Sequence, residues 1–191
     1  GAYNNGMDFH ATLAAVTARL DREGCRWAVI GGVAMGFYGW ARTTFDVDIL
    51  VDGCLAERLA ALLDDLGYRV DFQWEESTHL VPTRDDRCRL DILHAKRPHT
   101  QAMLSRAHRI RVDDSLAVPV VELEDLIGLK VQAMINDPER RRGELVDIRA
   151  LLEAAAARGG CDMGRVREYF ALFSELDELA ELSKGLEGAL A

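Results

Sequence analysis

Apolar positions along this chain recur with a mixture of short β-like runs and helical spacings up to about Pro119, and with helical spacing alone after it. Asp8 caps a predicted helix from Phe9 to Glu23, with Leu13, Val16 and Leu20 on one face and Gly24 as its stop. Trp27 to Ile30 is a short apolar run ending in Gly31-Gly32, and Gly32 to Trp40 reads as a brief helix. Val47 to Val51, rich in β-branched residues, reads as a buried strand. Leu59, Leu62, Leu63 and Leu66 mark an amphipathic helix from Ala56 to Leu66, ended by Gly67. Three β-rich segments follow, Tyr68 to Gln73, His79 to Pro82 and Cys88 to His94, the last two joined by the charged turn Thr83 to Arg87. Pro98 to Arg106 reads as a short helix, and the stretches near Ile110 to Val112 and Leu116 to Val121 as extended.

Beyond Pro119 the strands give out. Glu122 to Ile135 is predicted helical, with Glu122, Glu124 and Asp125 favourable in its first turn. Asp137-Pro138 breaks it, polar residues Glu139 to Glu144 link it to a helix from Leu145 to Arg158, and Gly159-Gly160 ends that one. A last acidic helix runs from Met163 to about Leu182. Strands first and helices afterwards imply an α+β fold, a short mixed β-sheet flanked by helices with a C-terminal helical bundle. The expected division is a core at 7–121 and a helical region at 122–191 packed on it. Gly1 to Gly6, which precede Met7, are left out of this reading.

The candidate chemistry lies between Trp27 and Asp52. Side chains alternate across a strand, so Asp46 and Asp48 share one face and Val47, Ile49 and Val51 the other. Paired carboxylates repel and resist desolvation unless a cation joins them. Asp91 emerges from a similar apolar strand, CRLDILH, on the face of Arg89 and Leu93. An oxygen-only set of this kind suits Mg²⁺ or Mn²⁺ rather than zinc. The plainer alternatives are an edge strand with its acidic face in water, or salt bridges to Arg42 and Arg89. Gly31 and Gly32 make either an ordinary tight turn or a place where the backbone approaches phosphate oxygens. Arg42 and Thr44 stand just before the acidic strand, where a guanidinium could clamp phosphate or pair with an aspartate.

The order of double glycine, Arg-Thr-Thr and Asp46-Val47-Asp48 resembles the active-site signature of the polymerase-β-like nucleotidyltransferase superfamily. With Ala34, Tyr38 and Arg42 ahead of the acidic pair, it most resembles the AbiEii-type nucleotidyltransferases of toxin-antitoxin pairs. The resemblance covers most of residues 27–157 and implies a minimal nucleotidyltransferase fold, its C-terminal helices closing one side of a nucleotide cleft. The implied enzyme transfers a nucleoside monophosphate from a triphosphate to an acceptor hydroxyl. In it, Asp46 and Asp48 hold metal and Asp91 helps to activate the attacking hydroxyl. It also implies that Lys130 contacts the triphosphate and that Asp147 orients the lysine or the substrate. Without the resemblance, Lys130 reads as a lysine snorkelling from an apolar helix and Asp147 as a helix surface residue. Gly32 departs from the pattern, since a serine is common after the first glycine.

The implied acceptors are RNA, transfer RNA included, or protein, as for a toxin that has an antitoxin partner. A small drug of the aminoglycoside or lincosamide kind is the alternative, and a catalytically silent nucleotide- or partner-binding module a further one. The balance of 23 basic against 32 acidic residues, a net charge of −9, argues against a surface that grips nucleic acid by phosphate neutralisation and suits a cationic small molecule. Arg140-Arg141-Arg142 reads as a solvated linker or, with Arg106, Arg109 and Arg111, as a resting place for an RNA end. His79, His94 and His99 lack metal spacing and read as ordinary polar positions. Cys25, Cys54, Cys88 and Cys161 are too widely spaced for a zinc set and read as reduced thiols in or near the core. No apolar run is long enough for a membrane span and no signal peptide is evident, so the expected location is cytoplasmic.

Overall fold

The computed structural model describes residues 8–190 apart from Arg42, Ala56, Glu57 and Asp85. The element order is α1 (Phe9–Arg22), β1 (Trp27–Ile30), α2 (Gly31–Phe37), β2 (Asp46–Asp52), α3 (Leu59–Asp64), β3 (Tyr68–Gln73), β4 (Ser77–Pro82), β5 (Arg89–Ala95), α4 (Pro98–Arg106), β6 (His108–Arg111), β7 (Ala117–Val120), α5 (Leu123–Asn136), α6 (Arg141–Ala157), α7 (Met163–Leu172), α8 (Leu176–Leu182) and α9 (Glu187–Leu190). The fold is α+β with a mixed sheet, as the periodicity implied. Among the described residues no helix is long and apolar enough to cross a membrane.

The chain divides into two units, 1–34 with 42–121, and 35–41 with 122–191. The first holds the seven-stranded sheet, in the order β3-β4-β5-β2-β1-β7-β6. β2 pairs antiparallel with β1 and parallel with β5, while β4 pairs antiparallel with both β3 and β5. One sheet face is core: Val47, Ile49, Val51, Leu90 and Ile92 are all buried, and α1 packs against β2 and α3 against β3. The Asp8 carboxylate accepts from Ala11 N–H at 2.9 Å, which caps α1 as its sequence predicts. Gln101 of α4 donates to the Asp52 carboxylate and to the Ala95 carbonyl, and so covers the C-terminal ends of β2 and β5 on the other face. The N-terminal ends of those strands carry the aspartates.

The second unit is helical apart from its linkers. α5 lies against α6 and α7, and Gly128 permits the α7 contact: a Cβ there would come within 2.7 Å of the Tyr169 ring. Tyr169 donates to the fully buried Asp125 at 2.7 Å.

Several boundaries differ from expectation for identifiable reasons. α2 stops at Phe37 rather than Trp40, because Trp40 N–H folds back onto the Met35 carbonyl and Gly39 takes φ +93°. α3 starts at Leu59, after a 3-10 turn at Gly53–Leu55. α6 begins at Arg141, so much of the expected polar linker is helix. The acidic tail is two helices rather than one, since Ser174 adopts φ 59° and Glu175 N–H returns to the Phe170 carbonyl. All four cysteines are free; Cys88 is buried and Cys54 exposed, the latter unlike the core position expected.

Candidate active site

Register does most of the positioning in the first unit. In the parallel β2–β5 pair, Asp46 stands opposite Arg89 and Asp48 opposite Asp91, so the three carboxylates share one sheet face. Each is half-buried. Antiparallel pairing then places His79 of β4 opposite Asp91, and its Nδ1 lies 2.7 Å from Asp91 Oδ1. On the other side, β1 brings Ile30 opposite Asp48, so that Gly31 follows at the end of the strand. Gly31 has φ +64°, and a Cβ there would lie 2.1 Å from Asp48 Oδ2. Only glycine meets both conditions. Gly32 is similarly close to Thr44, its imagined Cβ 3.1 Å from the Thr44 Cβ.

Burial first, and then the negative charge of Asp91, hold the Asp46 carboxyl above the ordinary range, against the opposing pull of Arg89 and His79. Its Oδ1 is buried and has no hydrogen-bond partner among the described residues. Such an atom is costly unless something polar or cationic meets it. The donor chemistry fits a hard divalent ion, with Asp46 and Asp48 as its natural holders. Among the described residues, however, no group of three or more His, Cys, Asp and Glu is drawn together as a metal cluster. Asp91 shares the face but has one oxygen engaged by His79.

The remaining predicted residues are placed as follows. Thr44 Oγ1 donates to the Asp46 carbonyl at 3.2 Å, a bond that secures the entry to β2. Arg42 lies outside the described residues. Arg89, the alternative partner expected for the strand aspartates, pairs instead with Asp71, at 3.2 Å. In the second unit, Lys130 does not snorkel: its Nζ is 2.9 Å from Glu144 and 2.7 Å from Asp147, all three side chains at most 10% exposed. Asp147 is therefore a buried partner and not a surface residue, and Glu144 joins it. Arg140 also binds Glu144, and Arg141 is clamped by Glu175 and Glu178, so the arginine run is mostly committed to its own helices. His79 is the residue that sequence reasoning passed over. His94 is buried, 2.9 Å from Thr78 Oγ1, with burial holding its pKa below the usual value.

Residues 12–115, more than half of the chain, match the family model for aminoglycoside-2''-adenylyltransferase. No curated protein sequence matches. Among solved structures, the antibiotic-resistance factor ANT(2'')-Ia is similar at 17% identity and a TM-score of 0.61, over 90% of this chain and 94% of that one. An antigenic nucleotidyltransferase-like protein from Paracoccidioides brasiliensis has 16% identity and a TM-score of 0.60, over 93% and 91%. The lincosamide antibiotic adenylyltransferase LnuA, bound to lincomycin, has 14% identity and a TM-score of 0.52, over 74% and 95%. These likenesses are of fold, and they do not show the AbiEii type. The family match says more: the chain belongs to the aminoglycoside-2''-adenylyltransferase family and is a nucleotidyltransferase enzyme of the polymerase-β-like superfamily.

Proposed function

We propose that this enzyme transfers a nucleoside monophosphate from a nucleoside triphosphate to a hydroxyl of a small cationic molecule, an amino sugar of the aminoglycoside class. The observation that carries the reading is the carboxylate face, Asp46, Asp48 and Asp91 in matched register with the Asp46 Oδ1 lacking a hydrogen-bond partner among the described residues. Asp46 and Asp48 would hold Mg²⁺ or Mn²⁺, which when bound supplies positive charge to the triphosphate oxygens. Asp91, its orientation fixed by His79, is the group to accept the proton of the attacking hydroxyl. Gly31 keeps the β1–α2 turn pressed against Asp48, leaving no side chain between backbone and substrate phosphate.

Family membership supports the small-molecule acceptor over the RNA or protein acceptors that the AbiEii likeness implied. Charge supports it as well, since a net −9 attracts a polycation and repels RNA. The arginines at 140–142 add little to an RNA reading while Arg140 and Arg141 are paired with carboxylates. The resemblance gives Lys130 a contact with the triphosphate. An ammonium already donating to two buried carboxylates has one N–H left, so its first role is to tie α5 to α6.

The test is incorporation of label from each nucleoside triphosphate, with Mg²⁺, into separate pools of aminoglycoside, lincosamide, transfer RNA and protein. Label in the aminoglycoside is the expected result. Label confined to RNA or protein would reverse the choice of acceptor.

A further inference from the structure

The sheet edge next to the carboxylates carries an anomaly. On β3, an edge strand, and just past its end, Phe72 and Trp74 are 46% and 63% exposed, yet they are ordered against each other edge to face with ring centroids 4.7 Å apart. Natural edge strands are usually blunted by charge or proline, and a bare aromatic pair there exposes the sheet to aggregation unless it serves a purpose. Pairing fixes where the rings stand. Phe72 is opposite His79 and Trp74 N–H bonds to the Ser77 carbonyl, so both rings lie on the His79 face of the sheet. Phe72 and His79 are 6.0 Å apart by centroid, and His79 holds Asp91. The ladder is irregular between Val70 and Phe72, the kind of bulge that re-aims side chains beside active sites.

Read across β1, β2, β5, β4 and β3, this face presents Gly31, Asp48, Asp91, His79 and then the aromatic pair. Under the proposed reading the nucleotide belongs at the Gly31 end. An acceptor whose hydroxyl reaches Asp91 must then approach from the opposite side, over β4 and β3. We propose that Phe72 and Trp74 form the acceptor subsite and receive the C–H face of a saturated hydroxylated ring, with ring ammonium groups drawn to the π faces and to Glu75. Glu75 is exposed in the tight turn after Trp74 and has no ion pair among the described residues, whereas Glu76 beside it is bound by Arg97. Two strand spacings, about 10 Å, separate Asp91 from Phe72, so the acceptor is larger than one sugar ring. The inference rests on the amino-sugar reading and adds to it the residues that select the acceptor.

The experiment is steady-state transfer from Mg²⁺-ATP to tobramycin by the full chain, with Phe72→Ala/Trp74→Ala, Trp74→Phe and Glu75→Gln beside the wild type, and thermal melting to confirm folding. The double variant is expected to raise KM for tobramycin about tenfold, and Glu75→Gln a few-fold, with KM for ATP unchanged. Trp74→Phe should restore most of the loss. Transfer by the wild type with an unchanged tobramycin KM in the double variant overturns the subsite alone, and a dimer that the double variant turns into monomer would show what the rings cover instead. A wild type that labels no amino sugar overturns the subsite and the acceptor reading together.

Discussion

Two charged clusters, one in each unit, solve the same problem in opposite ways. In the helical unit, Glu144 and Asp147 are buried with a cation from the chain itself, Lys130, at 2.9 and 2.7 Å. On the sheet, Asp46, Asp48 and Asp91 share a face where, among the described residues, Arg89 is drawn to Asp71, His79 engages one oxygen of Asp91, and Asp46 Oδ1 meets no hydrogen-bond partner. A cluster that closes on its own cation is a structural joint. One with a buried carboxylate oxygen unpaired among the described residues suits a cation from outside, in line with the proposed function.

The contrast can be broken at either cluster. The largest effect expected is on activity: replacing both Asp46 and Asp48 by Asn should lower nucleotidyl transfer by about 10³-fold while leaving the melting temperature near that of the wild type. Turnover and calorimetry of the same preparation check both halves. Lys130→Met should act the other way round, on stability first. It strands two buried carboxylates and should cost about 3–5 kcal/mol in denaturant unfolding, with much of the loss recovered when Glu144→Gln and Asp147→Asn are added.

Gly31→Ala separates backbone shape from charge. Its new methyl would meet the Asp48 carboxylate and force a residue other than glycine to positive φ, so activity should fall about tenfold or more with an unfolding cost near 1–2 kcal/mol. The smallest effect concerns the site without metal. Folding raises the pKa of Asp46, through burial first and Asp91 second, so the folded state holds that proton more tightly than the unfolded chain does. Its charge therefore costs stability above the folded pKa, and the cost disappears as the pH falls through that value. In chelator at neutral pH, Asp46→Asn should melt slightly above the wild type, and the gap should close in acid. Mg²⁺ should raise the melting temperature of the wild type but not of the variant.

The acidic strand was legible because alternation is a local property: Asp46 and Asp48 share a face wherever β2 is paired. The fold class was legible for a similar reason, since the change from mixed to purely helical spacing near Pro119 separates sheet from bundle. The alignment of Asp91 with Asp48 was legible only as a matching strand context, because register between β2 and β5 depends on two strands far apart in the chain meeting in parallel. His79 was passed over on the same ground. Its meaning comes from the β4–β5 ladder and from nothing in the run Ser77 to Pro82 itself. For Lys130 the plain reading of its own helix, snorkelling from an apolar face, gives way once the carboxylates of the next helix stand beside it, whereas the pairing with Asp147 was legible only through the resemblance. Loop details, such as the early end of α2 and the break at Ser174, turn on single backbone conformations that composition does not specify.

The most direct test of the central claim is Mg²⁺-dependent pyrophosphate release from a nucleoside triphosphate and an aminoglycoside, compared between the wild type and the Asp46→Asn/Asp48→Asn variant. Release that saturates with Mg²⁺ in the wild type and is lost in the variant is the predicted result. Equal release by both proteins would contradict the account.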